Sequence, residues 1–136
     1  MASPILEGMN PAQYEAITTG TGPVLVLAGP GSGKTRVLTH RIAYLIEEQH
    51  FPSYHIMAVT FTNKAAREME ARVEDLIGEH AKRVTLGTFH AICARILRVE
   101  AEHTPFTRDF VLFDSSDQVA WLNPILLVHH IAVKTF

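Results

Sequence analysis

Residues 24–35 read VLVLAGPGSGKT, and the predicted architecture is built outward from them. The apolar residues at the start are typical of a short buried strand, and a helical pattern follows the Lys-Thr pair at the end. A strand, a glycine-rich loop and a helix, in that order, form a loop that binds nucleotide phosphates. Glycines permit this because they let successive backbone N–H groups approach phosphate oxygens closely. We call residues 28–35 the glycine loop.

The last two side chains of the glycine loop have different chemistry. Lys34 adds a positive charge that can reach the β and γ phosphates, and the Thr35 hydroxyl is placed to bind Mg²⁺. The strict pattern begins with glycine, where this chain has Ala28. An ordinary glycine-rich turn before a helix is the alternative interpretation. The predicted nucleotide contacts in the loop are Ala28, Gly29, Pro30, Gly31, Ser32, Gly33, Lys34 and Thr35.

Length and composition indicate one globular domain. A chain of 136 residues can bury about two-thirds of its unfolded surface. Its apolar content of 47% and charged content of 19% are typical of a globular protein with a hydrophobic core. The formal net charge of −2 provides no overall basic field, so any nucleic-acid binding must come from a local patch.

Cysteine usage and the N-terminus predict a cytoplasmic location. The single cysteine, Cys93, excludes an internal disulfide and fits a reducing compartment. Like Phe89, Cys93 lies on the apolar stripe of a predicted helix, and this place favours core packing over nucleophilic chemistry for its thiol. The N-terminus lacks the basic-then-apolar run of a signal peptide, and no apolar run approaches the ~18 residues of a membrane span. The histidines, His129 and His130 included, lack partners at metal-ligand spacing.

Apolar periodicity and breaker residues divide the chain into alternating helices and strands. The predicted helices cover residues 11–19, 34–49, 62–78, 88–103 and a segment from 115 onward. The predicted strands cover 24–27, 56–61, 83–86 and, unless it is a buried connector, 110–113. A capping box is predicted at 115–118, and Pro124 is expected to interrupt the last helix. Strands that alternate with helices predict an α/β fold with a parallel sheet flanked by helices.

Residues 9–17, MNPAQYEAI, form the first of three further motifs. These residues resemble the Q motif of the UvrD/Rep/PcrA group of superfamily 1 DNA helicases. The glycine loop and the two motifs below resemble motifs of the same family. The resemblance implies that Gln13 reads adenine, because a glutamine amide pairs one donor and one acceptor with the base edge. A solvated helix residue is the alternative. The resemblance also implies that Arg36 helps to hold the base or ribose.

The other two motifs resemble the family's motifs Ia and Ib, which contact single-stranded DNA. Residues 58–69 read AVTFTNKAAREM and residues 85–93 read TLGTFHAIC. Both combine strand ends with helix starts, where free N–H groups and hydroxyls can meet phosphates and an aromatic ring can stack on a base. On spacing alone Phe61 would be a core residue, and His90 a helix residue without a ligand. The resemblance implies DNA contacts at Phe61, Thr62, Asn63, Thr88 and His90.

The resemblance implies a partial RecA-like domain with ATP as fuel and single-stranded DNA as track, moving 3′ to 5′ in the intact enzymes. Residues 1–121 are assigned to the N-terminal part of that domain. Family members also need an Asp-Glu pair and arginines from a second domain, and this sequence contains no Asp-Glu dipeptide. We therefore expect nucleotide and DNA contacts without full catalysis. A small P-loop phosphotransferase and a non-catalytic nucleotide-binding module are the alternatives.

Residues 122–136, LNPILLVHHIAVKTF, form an apolar C-terminal tail. Lys134 is the only Lys, Arg, Asp or Glu in it, whereas a chain terminus is normally polar. An apolar terminus needs a cover. We therefore expect the tail either to pack on an exposed sheet edge or face, or to pair two chains.

Overall fold

The computed structural model describes residues 3–128, and divides into two units, Met1–Arg95 and Ile96–Phe136. The first unit holds α1 (Pro11–Thr18), α2 (Lys34–Glu47), β1 (Met57–Thr60), α3 (Asn63–Ile77) and β2 (Thr85–Thr88). Helix α4 (Phe89–Val99) runs from the first unit into the second, which holds α5 (Ser115–Val128). Short 3₁₀ turns lie at Pro4–Leu6, Ser53–His55, Gly78–Arg83 and Ala101–His103.

Strands β1 and β2 form a two-stranded parallel sheet, with α3 as the crossover between them. The register pairs Met57 with Thr85 at one end and Thr60 with Thr88 at the other. A crossover through a helix is what parallel strands require, because a tight turn can join only antiparallel neighbours. The structure thus confirms an α/β fold with a parallel sheet and helices.

The helix boundaries follow the capping residues in the sequence. Asn10 caps α1, since its side chain accepts a hydrogen bond of 2.9 Å from the Gln13 N–H, and Gln13 Oε1 accepts one of 3.1 Å from the Asn10 N–H. Thr62 caps α3 with one hydrogen bond, in which its Oγ1 accepts from the Ala65 N–H at 3.1 Å. Gly78 ends α3 with a φ of 56°, a conformation that glycine adopts most readily.

The main hydrophobic core joins α2, β1, α3 and the turn before β2. Val73 of α3 is fully buried, and Met69 lies one turn before it on the same face. The remaining members of this cluster are Ile42, Ile46, Ala58, Ala81 and Val84. A smaller cluster of Ala16, Ile17 and Val37 packs α1 against α2. Both helices that flank the glycine loop are therefore anchored by buried apolar side chains.

A single arginine ties the end of α1 to α2. Arg41 Nη1 donates hydrogen bonds to three carbonyl oxygens at the end of α1, those of Ala16 at 2.9 Å, Ile17 at 3.1 Å and Thr19 at 2.9 Å. These carbonyls lie in the last turn of α1, where no further helical N–H is present to pair with them. A cation there also offsets the negative end of the helix dipole. We call this group the Arg41 clamp.

The predicted strands at 24–27 and 110–113 are not strands among the described residues, so both predictions are wrong. The side chains of Leu25 and Leu27 are 84% and 88% exposed. A strand forms only where a neighbour pairs with its N–H and C=O groups, and the sheet described here consists of β1 and β2 alone. The third predicted strand is shifted by two residues, to Thr85–Thr88.

In the second unit, α5 differs from its prediction at both ends. Asp114, not Ser115, caps the helix: its Oδ1 accepts hydrogen bonds from the N–H groups of Ser116 at 2.8 Å and Asp117 at 2.9 Å. Helix α5 also continues through Pro124 to Val128. Proline removes one helical hydrogen bond and strains the preceding turn, and here the helix accommodates it without ending.

Cys93 is exposed, so its predicted core packing is wrong. Helix α4 buries only Ile92 and Ala94 from its middle turn. Ile92 packs directly over Gly87, where a Cβ would lie 3.2 Å from Ile92 Cγ1. Helix α4 therefore meets β2 along a narrow line, and the neighbouring residues of its apolar stripe remain outside that contact.

In the tail, residues 122–128 belong to α5, and residues 129–136 lie outside the described residues.

Candidate functional site

The glycine loop has the backbone conformation that its glycines make accessible. Gly31 has a φ of 74° and Gly33 a φ of 82°, both in the left-handed region that costs other residues about 1–2 kcal/mol. Gly33 is the residue from which α2 begins, so the first N–H groups of α2 follow the loop directly. These N–H groups lack helical partners and can bind an anion.

Lys34 and Thr35 stand in the first turn of α2, at the mouth of the loop. The Lys34 ammonium donates to the carbonyl oxygens of Ala28 at 3.1 Å and Gly29 at 2.9 Å, so its charge lies over the loop. Ser32 Oγ also donates to the Gly29 carbonyl, at 2.7 Å. Thr35 is exposed. The structure thus brings the predicted cation and the predicted Mg²⁺ ligand to one exposed end of a helix.

Gln13 links α1 to the glycine loop. Its Nε2 donates to the Ser32 carbonyl at 3.1 Å, while its Oε1 accepts from the Asn10 N–H. A Cβ at Gly33 would lie only 3.0 Å from Gln13 Nε2, which shows how closely the amide approaches the loop. A cleft of about 230 Å³ opens beside it, lined in part by Ala12, Gln13, Leu27, Ala28, Gly29 and Lys34.

The Arg36 side chain contacts the N-terminal segment rather than the glycine loop. Its Nη2 donates to the Glu7 carbonyl at 3.3 Å, and the same nitrogen lies 3.4 Å from the position that a Cβ at Gly8 would occupy. In this structure Arg36 therefore holds the N-terminal segment against α2. Its predicted role beside a base or ribose stays a prediction.

The residues of the other two motifs meet where β1 and β2 end. Because Thr60 pairs with Thr88 in a parallel register, the residues that follow the two strands emerge at one edge. We call residues 60–63 and 88–90 the carboxyl edge. The predicted DNA contacts Phe61, Thr62, Asn63, Thr88 and His90 all belong to it.

Two aromatic rings stand on the carboxyl edge. Phe61 is 91% exposed, which excludes the alternative that it is a core strand residue. Phe89, which its spacing placed on the apolar stripe of α4, is 52% exposed. The ring centroids lie 5.8 Å apart with the planes tilted by 48°. Sequence reasoning missed this pair, because the parallel register that brings the two rings together is a tertiary property.

Two of the three threonine hydroxyls of the carboxyl edge are already used as helix caps. Thr62 Oγ1 accepts from the Ala65 N–H, and Thr88 Oγ1 accepts from the Ala91 N–H at 3.2 Å. Thr88 is also buried, whereas Asn63 and His90 are exposed. The exposed polar groups of the edge that take no part in capping therefore include the side chains of Asn63 and His90, together with the N–H groups of the first residues of α3 and α4.

Charge placement favours anions at three helix N-termini of the first unit. None of α2, α3 and α4 has an acidic residue in its first turn, where acidic residues are normally stabilising. Instead Lys34 opens α2, and Lys64 is the second residue of α3 and is exposed. Lys64 is therefore a second candidate anion-binding residue that the sequence analysis missed. The feature that could have revealed it is a cation in the first turn of a helix, where the helix dipole disfavours positive charge.

The chain belongs to the UvrD/REP helicase N-terminal domain family, whose model matches residues 9–135. That match contains the glycine loop, the segment with Gln13 and the whole carboxyl edge.

Among curated proteins, the chain is similar to the ATP-dependent DNA helicases PcrA of several bacteria. It is 49% identical to the Staphylococcus epidermidis protein over 132 residues, 97% of this chain. It is 47% identical to the Bacillus subtilis protein over 136 residues, 100% of this chain. The chain spans 18% of the length of each of these relatives.

Residues 3–128 contain neither a membrane-spanning helix nor a ready-made metal site. Within this part of the chain, no helix combines the length and apolar character needed to cross a bilayer. No group of three or more His, Cys, Asp or Glu side chains converges there as a ready-made metal site.

Proposed function

We propose that this chain binds ATP with Mg²⁺ at the glycine loop and single-stranded DNA at the carboxyl edge, as the N-terminal part of a RecA-like domain in an ATP-dependent 3′–5′ DNA helicase. The observation that carries the proposal is the glycine loop: left-handed Gly31 and Gly33 lead into a helix whose first turn presents Lys34 and Thr35. The likeness to PcrA helicases supports ATP and DNA as the ligands.

At the loop, the chain's own groups fit a magnesium triphosphate. The N–H groups at the start of α2 would bind phosphate oxygens, and the Lys34 ammonium would exchange two carbonyl partners for them. The Thr35 hydroxyl would be one ligand of Mg²⁺, and the ion would neutralise negative charge on the phosphates. Gln13 lies beside the loop, where its amide would select adenine.

At the carboxyl edge, contacts to the DNA backbone and to bases are separated. Backbone phosphates would meet the N-termini of α3 and α4, with Asn63, Lys64 and His90 alongside. A base would stack on Phe61, an interaction worth ~1–3 kcal/mol that does not depend on base identity. Binding through phosphates and stacking is sensitive to salt and tolerant of sequence.

The proposal covers binding rather than rapid turnover. Within these 136 residues no Asp-Glu pair follows a strand, and such a pair holds Mg²⁺ and positions water in the family that the sequence resembles. We expect this chain to bind nucleotide and to hydrolyse it scarcely at all. The proposal includes self-association through the apolar tail, supported by the exposure of Leu122, Ile125 and Val128 on α5.

Calorimetry with ATP and Mg²⁺ tests the loop assignment. Wild type and Lys82→Ala should give equal heats, and Lys34→Ala should give none, because only Lys34 lies over the loop. Lys82 is a matched control, since it is an exposed lysine bound to Glu79 Oε1 at 2.7 Å. Equal heats for Lys34→Ala and wild type would refute the assignment.

Single-stranded and duplex oligonucleotides of equal length test the DNA edge. Single strand should bind more tightly, with an affinity that falls as salt rises and that Phe61→Ala weakens regardless of base sequence. Equal binding of duplex would exclude the proposed contact.

Nucleotide binding without any DNA binding would favour a non-catalytic module, and phosphate transfer to a nucleotide would favour a small phosphotransferase. A DNA-stimulated turnover of ~1 s⁻¹ or more, abolished by Lys34→Ala, would show that the chain holds a complete catalytic site.

A further inference from the structure

We propose that Phe89 is a positioning residue that holds the exposed ring of Phe61 in a fixed orientation before a nucleobase stacks on it. This inference rests on the proposed single-stranded-DNA contact at the carboxyl edge and adds a residue that does not itself stack on the base. It follows from the exposure of the two rings, their geometry and the anchoring of α4.

Phe61 needs an external support because the fold gives it little. It comes directly after the last residue of β1, and 91% of its surface is exposed. A ring that rotates freely loses that freedom when a base stacks on it, and the lost freedom subtracts from the binding free energy. Within the described part of the chain, Phe89 is the aromatic ring that Phe61 meets.

The geometry of the pair suits support rather than a sandwich. A centroid separation of 5.8 Å with a 48° tilt lies within the range in which aromatic rings attract each other through edge and face. A base held between two rings would need those rings parallel and farther apart. Phe89 therefore meets one side of Phe61 and leaves the other side of that ring for a base.

Phe89 can act as a support because the residues on either side of it are fixed to β2. Its neighbour Thr88 is buried, pairs with Thr60 in the sheet and caps α4 through the Ala91 N–H. One turn on, Ile92 is packed against Gly87 so closely that a Cβ there would lie 3.2 Å away. The first turn of α4 is thus fixed to β2, and Phe89 is the first residue of that turn.

A double-mutant cycle measures whether Phe89 acts through Phe61. The full chain carries Phe61→Ala, Phe89→Ala or both, and its affinity for a fluorescein-labelled oligothymidylate is read by anisotropy at low salt. Phe89→Ala should lower the affinity about 2- to 12-fold, the factor that corresponds to the cost of ordering one side chain on binding. In the Phe61→Ala background, Phe89→Ala should have no further effect. Additive losses would mean that Phe89 contacts DNA independently, and would overturn the proposal.

Two other variants separate positioning from folding. Phe89→Tyr keeps the ring and should bind as wild type does, whereas Phe89→Leu keeps apolar bulk without a ring and should behave as Phe89→Ala. Phe106→Ala is a matched control, because Phe106 is 53% exposed and its ring lies 5.9 Å from that of Phe110 at a 51° tilt. A loss of affinity in this control equal to that of Phe89→Ala would overturn the proposal.

A readout without DNA keeps this inference distinct from the proposed function. Carbon-13 relaxation of the Phe61 ring, in DNA-free protein, should show a more ordered ring in wild type and Phe89→Tyr than in Phe89→Leu. Equal order in all three would refute positioning even if DNA binds. If wild type binds no single-stranded DNA, the proposed function fails, and the relaxation data alone decide whether Phe89 orders Phe61.

Discussion

At the scale of single residues, two constraints favour glycine at position 33. Its φ of 82° is in the left-handed region, and Gln13 Nε2 lies 3.0 Å from the point where a side chain would begin. Glycine is thus favoured at this position both by the backbone that leads into α2 and by the contact between α1 and the glycine loop.

We expect Gly33→Ala to destabilise the chain by about 1–2 kcal/mol, because alanine is strained at this φ. It should also weaken ATP binding, since it displaces the Gln13 amide. Chemical denaturation and calorimetry measure the two effects. Gly20→Ala is the control: Gly20 lies outside the left-handed region and has nothing within 4 Å of its Cβ position, so its stability should not fall. Equal losses in both variants would contradict this account.

At the scale of elements, the structure holds α1 by polar groups at both of its ends. The Arg41 clamp holds the end of α1 through three carbonyls, and the start of α1 is tied to the loop through Gln13. The position of Gln13 beside the glycine loop therefore depends on contacts at both ends of one short helix.

Arg41→Met should lower the free energy of unfolding by about 1.5 kcal/mol, because charged hydrogen bonds to helix carbonyls are lost while the apolar stem remains. Arg36→Met, on the same helix, removes one exposed hydrogen bond of 3.3 Å and should cost about 0.5 kcal/mol or less. Urea denaturation with unchanged m-values measures both. Similar losses for the two arginines would show that the clamp adds nothing.

Helix α5 should respond to acid through its cap. The Ser116 hydroxyl, at 2.6 Å, together with the N–H groups of Asp117 and Ser116, lowers the pKa of Asp114 below its ordinary value of 3.8. A lowered folded-state pKa means that stabilisation is present above 3.8 and is lost as the pH falls through the folded-state value. In an acid titration followed by circular dichroism, wild type should lose more helix below pH 3.8 than Asp114→Asn does. Asp109→Asn should follow wild type, and identical curves for all three would refute the cap's role.

At the scale of the whole molecule, apolar surface remains exposed in both units. Leu25 and Leu27 are exposed in the first unit, and Leu122, Ile125 and Val128 in the second. Apolar surface of this kind promotes association.

Self-association through the tail predicts a concentration-dependent mass in sedimentation equilibrium. Leu122→Lys with Ile125→Lys should shift the equilibrium toward monomer, because two charges would have to be desolvated in the contact. Tyr54→Lys changes an exposed aromatic residue of the first unit and should leave the equilibrium unchanged. A wild-type chain that stays monomeric at every concentration would exclude self-association.

Local patterns in the sequence were sufficient for most helices and for the two paired strands. The Asn10 cap, the Thr62 cap and the Gly78 stop act within a few residues, so they can be read without a structure. The strand at 24–27 could not be decided in this way, because apolar residues specify a strand only when a neighbour pairs with them. Phe89 and Cys93 were misassigned for a related reason: an apolar stripe does not reveal how wide a contact the helix makes.

The parallel pairing of β1 and β2 has a consequence for the order of folding. The two strands are separated by the whole of α3, so their contact pays the entropy cost of closing that long loop before it gains hydrogen bonds. Packing of α3 on α2, through Met69 and Val73 against Ile42 and Ile46, involves buried apolar surface and can precede it. We therefore expect the helices to form the folding nucleus and the sheet to close late. The edge that carries Phe61 and Phe89 would then be assembled among the last parts of the first unit and be the first lost on unfolding.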